Sequence, residues 1–156
     1  SIMLLDEKMD HGPILTQSAF MVSPFSNAGT LEVECGQLGG ELLTQILPHY
    51  LQGSLLPKEQ DHDKATVCKK ITKELGLIHL EDDIAVVRRK FRALTPWPSL
   101  YFFIAHADKM MRVKINEIEL IENKESRKAE DYILAVTPEG KKQMDFESFK
   151  RGYLNK

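Results

Sequence analysis

The chain has 156 residues and a formal net charge of -2, with 42% hydrophobic and 28% charged residues. That length suits one ordinary domain or two small ones, and the composition excludes an intrinsically disordered chain. The near-neutral balance excludes a global pull toward nucleic acid, so any RNA contact has to come from a local basic patch.

Ser1-Ile2-Met3-Leu4-Leu5 is an apolar run that suits a buried strand. It starts with no initiator methionine and reads as a strand already under way, so preceding sequence is expected. Asp6 to Gly12 is polar and ends in Gly12-Pro13, which marks a turn. Pro13 to Val22 resumes an extended pattern, giving strand, turn, strand. After a loop over 23–30, a helix is expected from Thr30 to Gly53, with Thr30 as N-cap and Glu32 and Glu34 in its first turn. Leu31, Cys35, Leu38, Leu42 and Ile46 give it an apolar stripe, Pro48 should kink it, and Gly53 should end it.

Residues 54–65 are polar and read as a linker, followed by a short helix around Val67–Leu75 and then Gly76. A firmer helix is expected over Leu80–Leu94. Ile84, Val87 and Phe91 form its apolar side, and Arg88, Arg89, Lys90 and Arg92 make much of the rest positive. Thr95-Pro96-Trp97-Pro98 should end it. Strands follow at Tyr101–Ile104, Met111–Ile121 and Ile133–Val136, with turns at Asp108-Lys109 and Pro138-Glu139-Gly140. Asp145 should cap a closing helix that turns Phe146, Phe149 and Tyr153 inward.

Cys35 and Cys68 lie outside any metal-ligand spacing and read as core thiols of a reducing compartment. No apolar run approaches ~20 residues, so no membrane span is expected. Chemistry could reside in the acidic turn, where Asp6, Glu7 and Asp10 sit between two strands. A carboxylate at the mouth of a sheet can orient or accept a proton, although a solvated turn is the commoner meaning of such a pattern. Asp6, Asp10 and His11 lack a recognised metal spacing, and no metal is expected. The five histidines share no spacing and are assigned no role.

Ser1 through Leu15 resembles the strand-turn-strand of folate-dependent formyltransferases, with Asp6, Asp10 and Gly12 on that family's pattern. Leu38–Leu43 and Leu47–Gly53 are similar to the long helix closing the family's catalytic domain. Pro57, Gln60-Asp61 and Lys69–Glu74 are similar to the segments that follow, while His79-Leu80 departs from an Asp-Trp pair. Two later motifs narrow the resemblance. Arg92-Ala93-Leu94-Thr95-Pro96-Trp97-Pro98 and Thr137-Pro138-Glu139-Gly140-Lys141-Lys142-Gln143-Met144 resemble segments of methionyl-tRNA formyltransferases.

The resemblance implies an α/β fragment, the end of a Rossmann-like formyltransferase domain, followed by a small, reduced OB-like β-barrel with flanking helices. Residues 1–53 would end the catalytic domain, 54–79 would be a linker and 80–156 a tRNA-binding domain. Between Glu122 and Tyr132 there is room for a loop and not for the extra strands of a full barrel. The implied activity transfers a formyl group from 10-formyltetrahydrofolate to the amino group of methionyl-initiator tRNA in translation initiation. Asp10 matches the aspartate that works with an Asn–His pair, and Ser1, Lys8 and Met9 fall beside the folate. That pair and a Leu-Leu-Pro folate motif would precede Ser1, so the 156 residues alone are expected to be an inactive portion of the enzyme.

The implied partner is initiator methionyl-tRNA, met by Arg88, Arg89, Lys90, Arg92, Lys114, Lys141 and Lys142 through phosphate contacts. Trp97, between two prolines, could stack on a base, but packing the domain core or the linker is the commoner role. A cytoplasmic monomer without membrane association is expected. Two rival readings stay open: a non-catalytic RNA-binding module, and a formyltransferase acting on another amine such as a sugar nucleotide.

Overall fold

The computed structural model describes residues 1–107, 109–120 and 126–154. The chain divides into two compact units, one made of Ser1–Pro24 and Thr30–Lys69, the other of Phe25–Gly29 and Lys70–Lys156.

In the first unit, β1 (Ile2–Met3) and β2 (Ile14–Thr16) form an antiparallel pair, with Ile2 opposite Thr16 and Met3 opposite Ile14. The second strand is shorter than expected: it stops at Thr16, opposite Ile2, and 17–22 runs on without a strand partner. Lys58 extends the pair, exchanging both backbone bonds with Ile14 at 2.8 Å. Part of the expected linker is therefore tied to the sheet.

Helix α1 (Ala28–Leu51) begins two residues before the expected cap, directly after Asn27, a residue type favoured ahead of helices. Glu32 and Glu34 accordingly lie beyond its first turn. Pro48 is accommodated inside the helix. Gly53 ends it at φ +71°, with Ser54 N donating to His49 O at 2.9 Å. Leu31, Leu38, Leu42 and Ile46 are half-buried, but Cys35 is exposed, as is Cys68, so neither thiol is the core residue the sequence suggested. No residue of α1 is fully buried.

The helix expected around Val67–Leu75 does not form. Val67 is 97% exposed and Ile71 and Leu75 are also exposed, so that segment has no face to bury. Only a 3-10 turn, Lys73–Gly76, is present. Gly76 is required there, because a Cβ would stand 2.2 Å from Ser99 O.

The second unit is built on an antiparallel sheet in the order β3 (Leu100–His106), β4 (Lys109–Ile118), β5 (Ile133–Pro138) and β6 (Met144–Asp145). Alternation dictates its faces. Leu100, Phe102 and Ile104 point inward with Val113 and Ile115, while Phe103 and Lys114 point out. The order is open, and β3 and β6 are not paired with each other. Asp108 and Ile121, which the expected turn and second strand include, lie outside the described residues.

Helix α2 (Ile84–Leu94) covers the inner face with Ile84, Val87 and Leu94. It starts four residues later than expected because Asp83 is the cap, accepting from Ala85 N at 2.8 Å. The closing helix α3 (Phe146–Phe149) is capped by Asp145, which accepts from Ser148 N at 2.8 Å, and runs into a wider π-type turn, Lys150–Leu154. Phe146 and Phe149 are buried against Phe102, with ring centroids 6.4 and 5.9 Å from it.

Candidate functional site

The acidic turn between β1 and β2 is held from three sides. Leu4 N donates to Pro13 O at 2.9 Å and closes the turn. Gly12 is buried there, and a Cβ on it would stand 2.0 Å from Leu4 O, so only glycine allows the two strands this approach. From the segment after α1, the Gln60 side chain donates to Asp10 O at 3.0 Å and Gly12 O at 2.7 Å.

Asp10 has φ +54°, a left-handed backbone that aspartate tolerates better than most residues. Its side chain is exposed at the outer bend. Asp6 behaves differently. Its carboxylate contacts His11 Nδ1 at 2.6 Å and accepts from Lys8 N at 2.9 Å. The hydrogen bond from His11, then that from Lys8 N, holds the Asp6 carboxyl below its ordinary range. The other face of His11 lies flat on His62, with centroids 3.7 Å apart and planes 2° apart.

The turn therefore contains a hydrogen-bonded carboxylate–imidazole pair at Asp6–His11 beside an outward carboxylate at Asp10. The five histidines share no spacing in sequence, and the stacking of His11 on His62 joins residues that no local pattern connects. Ser1 receives a hydrogen bond from Gln17 at 2.9 Å, and Lys8 and Met9 are exposed at the turn's tip, Met9 at 92%. Among the described residues, no three or more His, Cys, Asp or Glu side chains gather to hold a metal.

The basic residues expected on the second unit divide into two groups. Arg88 is buried: its Nε donates to Glu119 O at 3.0 Å and its guanidinium stands 4.6 Å over the Tyr132 ring. Lys90 donates to Leu77 O at 3.2 Å and Arg92 to Ser26 O at 2.8 Å, both half-buried. Arg89, Lys114, Lys141 and Lys142 are exposed. Lys141 and Lys142 follow the Pro138–Gly140 turn, where Gly140 has φ +70° and Lys141 N donates to Pro138 O at 3.0 Å. Trp97 is 55% exposed, so it is not a residue of the domain core. No helix of the described residues is long and apolar enough to cross a membrane.

Residues 70–131 match the family described as the formyl transferase C-terminal domain. That match, with the small antiparallel sheet and its flanking helices, defines the class: the chain carries a formyltransferase C-terminal domain. It is 45% identical to the methionyl-tRNA formyltransferase of Chloroflexus aurantiacus over 103 residues, covering 66% of this chain and 33% of the relative. It is 30% identical to that of Dictyoglomus thermophilum and 31% to that of Lactobacillus acidophilus, over 98% and 100% of this chain and 54% of each relative. Along its whole length the chain is similar to methionyl-tRNA formyltransferases. It spans between a third and about half the length of these relatives.

Proposed function

We propose that this chain is the C-terminal portion of an enzyme that formylates methionyl-initiator tRNA with 10-formyltetrahydrofolate as donor. The observation that carries the reading is the similarity to methionyl-tRNA formyltransferases along 98–100% of the chain, acidic turn included. On this reading residues 1–53 end the catalytic domain, 54–79 form the linker, and 80–156 form a tRNA-binding domain with a reduced OB-like sheet. The protein acts as a cytoplasmic monomer.

The reaction is an acyl transfer. The methionyl amine attacks the formyl carbon, a C–N bond forms, the bond to the folate nitrogen breaks, and the proton lost by the amine is balanced by one gained by that nitrogen. On this reading Asp10 serves that proton. Its carboxylate projects outward, and Gln60 fixes the backbone that carries it. Ser1, Lys8 and Met9 would border the folate. The groups that polarise the formyl oxygen belong to the remainder of the enzyme, since this chain corresponds to 54% of the relatives it matches end to end.

Arg89, Lys90, Arg92, Lys114, Lys141 and Lys142 form the proposed tRNA surface. Arg88 is left out because its guanidinium is committed within the fold. Filter retention of initiator tRNA by this chain across a salt series tests the reading. The expected log–log slope is about -0.9 per phosphate engaged. Retention that ignores salt, or none at low salt, contradicts it and favours formylation of a smaller amine such as a sugar nucleotide.

A further inference from the structure

On the outward face of β3 and β4, Lys114 of the expected tRNA surface is joined by Tyr101, Phe103 and Arg112, which that surface does not include. Phe103 is 45% exposed and stands opposite Arg112 in the strand register, while Tyr101 stands opposite Lys114. The Tyr101 and Phe103 rings meet edge to face at 5.6 Å. The Arg112 guanidinium lies 4.0 Å over the Tyr101 ring. No carboxylate pairs with that guanidinium among the described residues, and its Nε is buried without a hydrogen-bond partner among them. The guanidinium stacks on the Tyr101 ring, and among the described residues no ion pair neutralises its charge.

Beside it, Arg112, Lys114, Thr137 and the Pro138–Gly140 turn line an open pocket of about 220 Å³. Lys114 is exposed and faces Thr137 across the strands. Glu139 is at the rim, its carboxylate 3.5 Å from the backbone N of Arg112 and not from the guanidinium.

A ring that is open on one side, next to two positive charges and an open pocket, matches the repeat of a single nucleic-acid strand: a base with a flat face, then a phosphate. A duplex hides its base faces and would gain only the charges. We propose that this face binds an unpaired stretch of RNA, with a base stacked on Phe103 and the adjoining phosphate held by Arg112 and Lys114. The proposal rests on the tRNA reading and names the part of the RNA this sheet takes.

The test uses the full chain and a short single-stranded oligoribonucleotide carrying 2-aminopurine, with the same sequence paired in a duplex for comparison. Wild type should bind the single strand more tightly than the duplex and quench its fluorescence. Phe103→Leu keeps an apolar side chain at an exposed position, and it should weaken single-strand binding roughly tenfold and abolish the quench. Arg112 also covers Tyr101, so the charge is tested separately at the exposed Lys114. Lys114→Gln should lower the salt slope by about one. If wild type retains initiator tRNA yet Phe103→Leu binds and quenches as wild type does, this inference is overturned and the tRNA reading stands. If wild type retains neither tRNA nor oligoribonucleotide, both are overturned.

Discussion

Gln60 reaches across 50 residues of sequence to hold Asp10, its side-chain amide donating to the Asp10 carbonyl at 3.0 Å and to Gly12 O at 2.7 Å. One side chain thereby fixes the backbone on both sides of His11. Gln60→Glu would set a carboxylate against two carbonyls, and we expect it to loosen the turn without unfolding the second unit. Hydrogen exchange at Leu4 N, whose partner is Pro13 O, should accelerate while exchange in β4 stays unchanged. Equal protection in the variant would show that Gly12 and the strand pair suffice to hold the turn.

Arg88 and Arg89 are adjacent in sequence, one buried and the other exposed. Arg88→Ala removes a part-buried hydrogen bond to Glu119 O and the cover over Tyr132, and should cost about 2 kcal/mol of stability in denaturant unfolding. Arg89→Ala, at an exposed position, should leave stability unchanged and weaken tRNA retention. The opposite pattern would move Arg88 back into the RNA surface.

Phe149 is fully buried and meets Phe102, Phe146 and Tyr153 with ring centroids between 5.0 and 5.9 Å. Phe149→Ala should destabilise the second unit by about 3–5 kcal/mol, read as a lowered denaturant midpoint. A loss under about 1 kcal/mol would mean that the closing helix is not part of the core.

Three aspartates make the second unit and the turn sensitive to acid. Backbone donation from Ala85, then Arg127, lowers Asp83; donation from Ser148 lowers Asp145; the hydrogen bond from His11 lowers Asp6. Each folded value lies below the unfolded one. The stability they contribute is present above the ordinary carboxylate range and is lost as pH falls through the depressed folded values. Asp145→Asn keeps a capping oxygen but cannot titrate. Its denaturant midpoint should fall less steeply with acid than that of wild type, with near-equal values at neutral pH. Parallel curves would contradict the assignment.

The sheet of the second unit is legible in sequence because β3 and β5 are apolar runs of strand length and the middle of β4 alternates between faces. β6 is not legible, since two residues carry no period. The start of α2 is misplaced because Glu81, Asp82 and Asp83 all suit a helix start, and only the bond to Ala85 N selects Asp83. Stripe patterns also overstate burial: Cys35 shares the spacing of Leu31 and Leu38 yet is exposed. At the candidate site, Gly12 reveals the tight turn. Gln60 and His62 become visible only when the chain has brought distant residues together.

Asp10 is the residue on which the functional account turns. Residues 1–156 can be joined to the remaining portion of the Dictyoglomus thermophilum relative, and formylation of methionyl-initiator tRNA measured for the complete enzyme and its Asp10→Asn variant. The account predicts a kcat loss on the order of 10²–10⁴-fold, with tRNA retention and the unfolding midpoint unchanged. Wild-type turnover in the variant would contradict it.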